Sequence, residues 1–205
     1  MKKIIAFAAG ALLASAAGIA LAQSQHSEQD AKTLAKDVCS ACHGPQGHSI
    51  SPVFPILAAQ QPGYIIVQLD AFRNHTRGDP NARAYMWGMS SQLSDETIKE
   101  LADYYAAQKP VHGSPGDPAL MAEGKKIFTE GVKAQNVQAC EICHGPEAQG
   151  AGAFPRLAGQ HVEYLIGQLQ GFQSGTRDNA PIMQNVVRTM TPEQLRAAAT
   201  YAASK

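Results

Sequence analysis

Cys39-Ser40-Ala41-Cys42-His43 and Cys140-Glu141-Ile142-Cys143-His144 are the two stretches that decide how this chain folds. Both spell Cys-x-x-Cys-His, the attachment signature of a c-type haem. Two thiols one helical turn apart can each add to a vinyl group of the macrocycle. The histidine beside the second thiol can then give an imidazole nitrogen to the iron. Cys-x-x-Cys alone also suits a zinc site or a redox disulfide. Zinc wants four ligands at one closed centre, and that leaves both histidines unexplained. A thioredoxin-type disulfide belongs in a βαβ pattern, which is absent. The motifs use all 4 cysteines of the chain. The expected cofactors are two covalently bound haem c groups, with their iron.

The 205-residue chain begins Met1-Lys2-Lys3. An uncharged apolar run over 4–22 follows, ending Ala20-Leu21-Ala22 before the polar Gln23. A basic start, an apolar middle and an Ala-x-Ala end describe a secretory signal peptide, expected to be cleaved after Ala22. An uncleaved anchor is the alternative, since the run is close to bilayer-spanning length; its Ala and Gly content and clean cleavage site favour removal. No later stretch is apolar enough to cross a membrane. The expected location is the periplasm, where covalent haem attachment suits an oxidising compartment. The full chain has 17 basic and 17 acidic side chains, so losing Lys2 and Lys3 leaves a net charge of −2. No Lys/Arg cluster points to nucleic acid.

The second motif lies 101 residues after the first, and the repeat runs well beyond it. Phe54-Pro55-Ile56-Leu57-Ala58-Ala59-Gln60 returns as Phe154-Pro155-Arg156-Leu157-Ala158-Gly159-Gln160. Tyr64, Gln68, Leu69, Phe72, Thr76 and Arg77 return as Tyr164, Gln168, Leu169, Phe172, Thr176 and Arg177. After a three-residue deletion Met86 falls on Met183, Leu93 on Met190, Ser94 on Thr191 and Tyr104 on Tyr201. This is duplication of a whole domain rather than a short solenoid repeat. The expected domains are 23–109 and 119–205, joined by a linker over 110–118 whose prolines and glycines exclude regular structure. Each half reads as helical. Helices are expected over 27–38, from Pro118 to Phe128, around Tyr64–Phe72 and Tyr164–Phe172, and from the caps Ser94 and Thr191 to about Ala107 and Ala203. No alternating β run is convincing. Domains this small have a limited apolar core, and a buried porphyrin adds apolar mass to each.

His43 and His144 are the candidate axial ligands on one face of each iron. Methionine on the other face gives an electron-transfer iron with raised potential; an open face favours small-ligand binding or catalysis. Met86 and Met183 coincide in the alignment, each eight residues before a helix cap, and are the candidate sixth ligands. Met190 aligns with Leu93 and reads as core, Met89 has no counterpart, and Met121 reads as helix core. A ligating histidine usually donates its other ring N–H to a carbonyl; Pro55 and Pro155 are placed to offer one, or simply to turn the loop. Arg77 and Arg177 suit a haem propionate or a surface salt bridge. Tyr64 and Tyr164 read as core aromatics. His26, His48, His75, His112 and His161 do not pair between the halves and read as surface or loop residues, with His75 a lesser candidate ligand.

Two Cys-x-x-Cys-His units, each followed by Phe-Pro-x-Leu-Ala-x-Gln, Tyr-x-x-x-Gln-Leu, a methionine and a capped final helix, resemble the cytochrome c4 family over essentially the whole chain after the leader. The resemblance implies an all-α fold of two tandem class I cytochrome c domains, related by a pseudo-twofold axis and each enclosing one covalent haem. It implies a first site of Cys39, Cys42, His43 and Met86 and a second of Cys140, Cys143, His144 and Met183. It further implies a non-enzymatic periplasmic electron carrier, in some members membrane-associated, with redox protein partners: a respiratory donor complex and a terminal oxidase. Ala59, where the family favours Gly, and the shifted loop Ala148-Gln149-Gly150 depart from the pattern. Two other readings share the fold: a cytochrome subunit of a dehydrogenase such as a flavocytochrome, and a di-haem peroxidase, which needs an open iron position that two methionines argue against.

Overall fold

A computed structural model describes residues 30–205; the leader over 1–22 and His26 lie outside the described residues. The first helix, α1, runs over 30–43, with a π-helical turn at Ala35–Cys39 and a last turn at Ser40–His43. It is followed by α2 (Pro62–Arg73), then α3, a π turn at Ala82–Met86 continuing into Trp87–Ser90, then α4 (Asp95–Ala106). The second half repeats the order with α5 (Pro118–Glu130), α6 (Glu141–His144), α7 (Val162–Ser174), α8 (Pro181–Val187) and α9 (Pro192–Ala203). Among the described residues β pairing is limited to two isolated bridges, Val132 with Val137 and Ala151 with Phe154.

Local chemistry sets the helix starts. The Ser94 hydroxyl accepts the Thr97 amide at 3.1 Å. Thr191 accepts the Gln194 amide at 3.3 Å while the Gln194 side chain accepts the Thr191 amide at 2.9 Å, a full capping box with Pro192 at the first position. The Asp117 carboxylate caps α5 by accepting the Ala119 and Leu120 amides. Both final helices therefore begin at their sequence-predicted caps.

Each half has its own core. In the first, Ala31 and Ala35 of α1 pack with Leu101, Ala102 and Tyr105 of α4, and Ile65 of α2 closes the cluster. In the second, Ile127 and Phe128 of α5 pack with Leu195 and Tyr201 of α9, and Leu165 and Phe172 come from α7. Small residues let the first and last helix of a half cross closely: a Cβ on Gly124 of α5 collides with the Ala197 carbonyl oxygen and Tyr201 Cβ of α9. The segment between α4 and α5 has no regular structure and lies along the second half, where the Gly113 amide donates to the Lys205 carbonyl.

Candidate haem sites

The two motifs occupy the same place in each half. Cys39 and Cys42 lie one turn apart at the end of α1, and Cys140 and Cys143 lie likewise around α6. His43 and His144 are the last residues of these helices and are buried, 7% and 6% exposed. The next residue stops each helix. Gly44 has φ 74° and Gly145 φ 77°, a left-handed backbone that glycine adopts without strain. A side chain at Gly44 would also collide with the His48 carbonyl.

The chain then loops under the imidazole. His43 Nδ1 lies 2.9 Å from the Pro55 carbonyl oxygen, and His144 Nδ1 lies 3.0 Å from that of Pro155. A carbonyl only accepts, so Nδ1 carries the proton and Nε2 carries the lone pair. Burial holds both imidazoles below the ordinary histidine pKa, partly opposed by the prolyl carbonyls. A neutral imidazole with its tautomer fixed from behind is what iron ligation through Nε2 requires. Phe54 and Phe154 stand edge-on to the two rings, with centroids 6.1 and 6.4 Å away. Phe54 also meets Tyr85, the residue before Met86, at 5.4 Å, which ties the methionine segment to the histidine loop.

The other candidates are now placed. Met86 ends the π turn of α3 and Met183 lies in α8; both are half-buried. Met190 is core, 5% exposed, as its alignment with Leu93 implied, whereas Met89 is 49% exposed. His75 is stacked on Trp87 at 4.1 Å. His48 is held by the Lys109 carbonyl, and His112 is exposed. The four thiols are unpaired, and the two pairs lie in separate halves, so neither a four-ligand zinc centre nor a disulfide is built. Burial pushes the Cys140 thiol up to about 11 and raises that of Cys39.

One of the two readings of Arg77 and Arg177, the surface salt bridge, needs correction. Arg77 and Arg177 form no surface salt bridges: they are 4% and 3% exposed and meet between the halves. Arg77 Nη1 donates to Gln68 at 2.9 Å and Nη2 to Gln168 at 2.7 Å; Arg177 Nη1 donates to Gln168 at 2.6 Å and Nη2 to Gln68 at 3.0 Å. Tyr164 packs against the core of the second half, and both tyrosines also turn their hydroxyls to the opposite arginine, Tyr64 accepting at 2.9 Å from Arg177 and Tyr164 at 3.4 Å from Arg77. Burial works to raise the Tyr64 phenol, but Arg177 and Arg77 outweigh it and hold its pKa below the usual value. Sequence showed that these residues repeat, but not that they converge. Gln60 and Gln160 form a second reciprocal clasp that the sequence reading missed. Gln60 spans the Arg156 amide and carbonyl at 2.7 and 3.0 Å; Gln160 spans those of Ile56 at 2.9 and 2.9 Å. Each bond has a partner related by exchange of the halves, which defines a pseudo-twofold axis.

The cytochrome c family pattern matches residues 28–107 and 121–204. A cytochrome c4 from Thiocapsa roseopersicina is 37% identical over 179 residues, covering 84% of this chain and 90% of that one. The chain belongs to the cytochrome c4 family. A solved cytochrome c4 from Acidithiobacillus ferrooxidans superposes with TM-score 0.77 at 42% identity, over 82% of this chain and 98% of that one. A protein of Stutzerimonas stutzeri described as a thiosulfate dehydrogenase electron acceptor is 35% identical over 172 residues, covering 81% of this chain and 78% of that one. As a cytochrome c4 the chain is a di-haem electron-transfer protein, not an enzyme, with two covalently bound haem c groups. The residues present fit that cofactor: two adjacent thiols, one neutral oriented imidazole and one half-buried thioether recur in each half.

Proposed function

We propose that Cys39 and Cys42 would hold the first haem through thioether bonds, with His43 and Met86 as the residues that would bind its iron. Cys140 and Cys143 would hold the second, with His144 and Met183. The observation that carries this is the doubled arrangement of a buried histidine whose Nδ1 is committed to a prolyl carbonyl. When bound, haem supplies reversible one-electron chemistry at iron. The chain does the rest: Pro55 and Pro155 fix the imidazole orientation, and α3 and α8 carry the thioethers. Two protein ligands retained in both oxidation states keep reorganisation on electron exchange low. The domain limits are those read from the repeat, 23–109 and 119–205 with a linker over 110–118, after removal of a signal peptide at Ala22.

On this reading the protein works in the periplasm as a single-electron carrier of a respiratory chain, receiving electrons from a donor complex and passing them towards a terminal oxidase. A second reading has a specific observation in its favour: the relative described as a thiosulfate dehydrogenase electron acceptor covers most of the chain. There the donor is a dehydrogenase and this chain its cytochrome partner. Two experiments decide. Met86→Ala and Met183→Ala are each expected to remove about half of the weak near-infrared absorption of Met-ligated ferric haem; unchanged absorption in either would overturn the ligand assignment. Purification from the native membrane and periplasmic fractions distinguishes the partners, since a dehydrogenase subunit elutes with its enzyme at fixed stoichiometry and a free carrier elutes alone.

A further inference from the structure

The helices α2 and α7 occupy the same place in the two halves but end differently. α7 stops at Gly175, φ 76°, the residue type that takes a left-handed turn freely. The same place after α2 holds His75, φ 58°. Its amide donates to the Phe72 carbonyl at 3.1 Å, and that of Thr76 to the Ala71 carbonyl at 2.8 Å, so this turn closes the helix. A side chain in this backbone region is strained, and it persists where its surroundings fix it. Trp87 of α3 fixes it. The imidazole lies flat on the indole, with centroids 4.1 Å apart and planes at 14°.

Two further contacts hold the same indole. Its N–H donates to the Arg77 carbonyl at 2.8 Å. The Arg83 guanidinium lies over the ring at 5.5 Å, and Arg83 Nε donates to the Gly78 carbonyl at 2.8 Å. A flat aromatic pair contributes beyond its buried area, and a guanidinium over tryptophan adds to it. None of this stack recurs in the second half, where His75, Arg83 and Trp87 fall on Gly175, Ala180 and Gln184. There the Gln184 side chain reaches the Arg177 carbonyl at 3.3 Å. The segments to be secured differ as well. Pro181 starts α8, and Met183 lies in its first turn. The first half has three more residues between arginine and methionine, and it reaches Met86 through the π turn Ala82–Met86. A π turn is a rare geometry that regular α-helical hydrogen bonding does not maintain, so it needs a hold from outside. Trp87 directly follows Met86, at the end of that turn.

We infer that His75 is a positioning residue for the first haem site: stacked on Trp87, it holds the π turn that presents the Met86 thioether, a task that Pro181 performs for Met183 in the second half. This rests on the ligand assignment above. Electron exchange with little reorganisation needs the thioether retained in both oxidation states. Without the stack, the Met86 segment swings away more often.

The test is a cyanide titration of the oxidised holoprotein, read in the near-infrared absorption of Met-ligated ferric haem. Cyanide takes the place of a methionine only when that methionine has left, so its apparent affinity reports how often the segment opens. His75→Gly installs the residue of the second half and removes the backbone strain, so the variant folds. It is expected to raise the cyanide affinity of one haem by about 2- to 10-fold, the worth of one aromatic pair, and to leave the other haem as in wild type. In the Met183→Ala background, where the remaining absorption belongs to Met86, the same substitution is expected to show the whole effect; in the Met86→Ala background, none. His75→Phe keeps a flat ring and is expected to hold cyanide affinity near wild type, which separates the stack from the helix stop. Unchanged cyanide affinity in His75→Gly, an equal rise at both haems, or a rise in His75→Phe as large as in His75→Gly overturns the inference. Near-infrared absorption left intact by Met86→Ala overturns the ligand assignment instead.

Discussion

Ala59 and Gly159 occupy the same place in the two halves, and both have left-handed backbones, φ 56° and 73°. Glycine takes this conformation freely, whereas an L side chain is strained by about 1–2 kcal/mol. Ala59→Gly is therefore expected to stabilise the first domain by about 0.5–1 kcal/mol, after the greater chain entropy of glycine is set against the relief of strain. The check is the thermal midpoint. Gly159→Ala is expected to destabilise by more, because its Cβ would run into the Val111 carbonyl as well as straining the backbone. At this scale the haem motifs were fully legible: Cys-x-x-Cys-His carries its chemistry in adjacent residues. The donation from His43 to Pro55 was only one of two readings of that proline, since a turn residue and a carbonyl acceptor look alike in sequence.

At the scale of elements, α5 and α9 pack closely at Gly124. Gly124 admits the backbone of α9 at a distance no side chain allows. Gly124→Val is expected to cost on the order of 1–3 kcal/mol, because overpacking forces two helices apart, and chemical denaturation measures it. Thr191→Ala removes a capping hydroxyl and is expected to cost about 1 kcal/mol. Cap chemistry is local, so α4 and α9 were legible to within a residue of their starts. The π turns at Ala35–Cys39 and Ala82–Met86 were not. They add a residue to a helical turn, and no single side-chain type announces that.

At the scale of the molecule, two apolar cores meet through a polar seam. Gln60 and Gln160 each bridge to the opposite backbone, and each hydrogen bond contributes about 0.5–1.5 kcal/mol net. The double variant Gln60→Ala with Gln160→Ala is expected to loosen the pair without unfolding either domain. The measurements are faster proteolytic cleavage within 107–117 and a larger radius of gyration in solution. Haem count and thermal unfolding of the individual domains are expected to stay near wild type.

The sequence by itself determined that the domain is duplicated, that it is helical and that each half binds haem, and it singled out one candidate histidine and one candidate methionine in each half. Those properties rest on residues close together in the chain and on a repeat that reveals itself on alignment. Only the tertiary structure decided what Tyr64, Gln68, Arg77 and their counterparts do. Their side chains meet partners about one hundred residues away, and nothing in either half alone specifies that meeting. The same holds for Asp79: its carboxylate is one acidic residue among many in the sequence until folding buries it against the Arg77 guanidinium, where water no longer screens the pair.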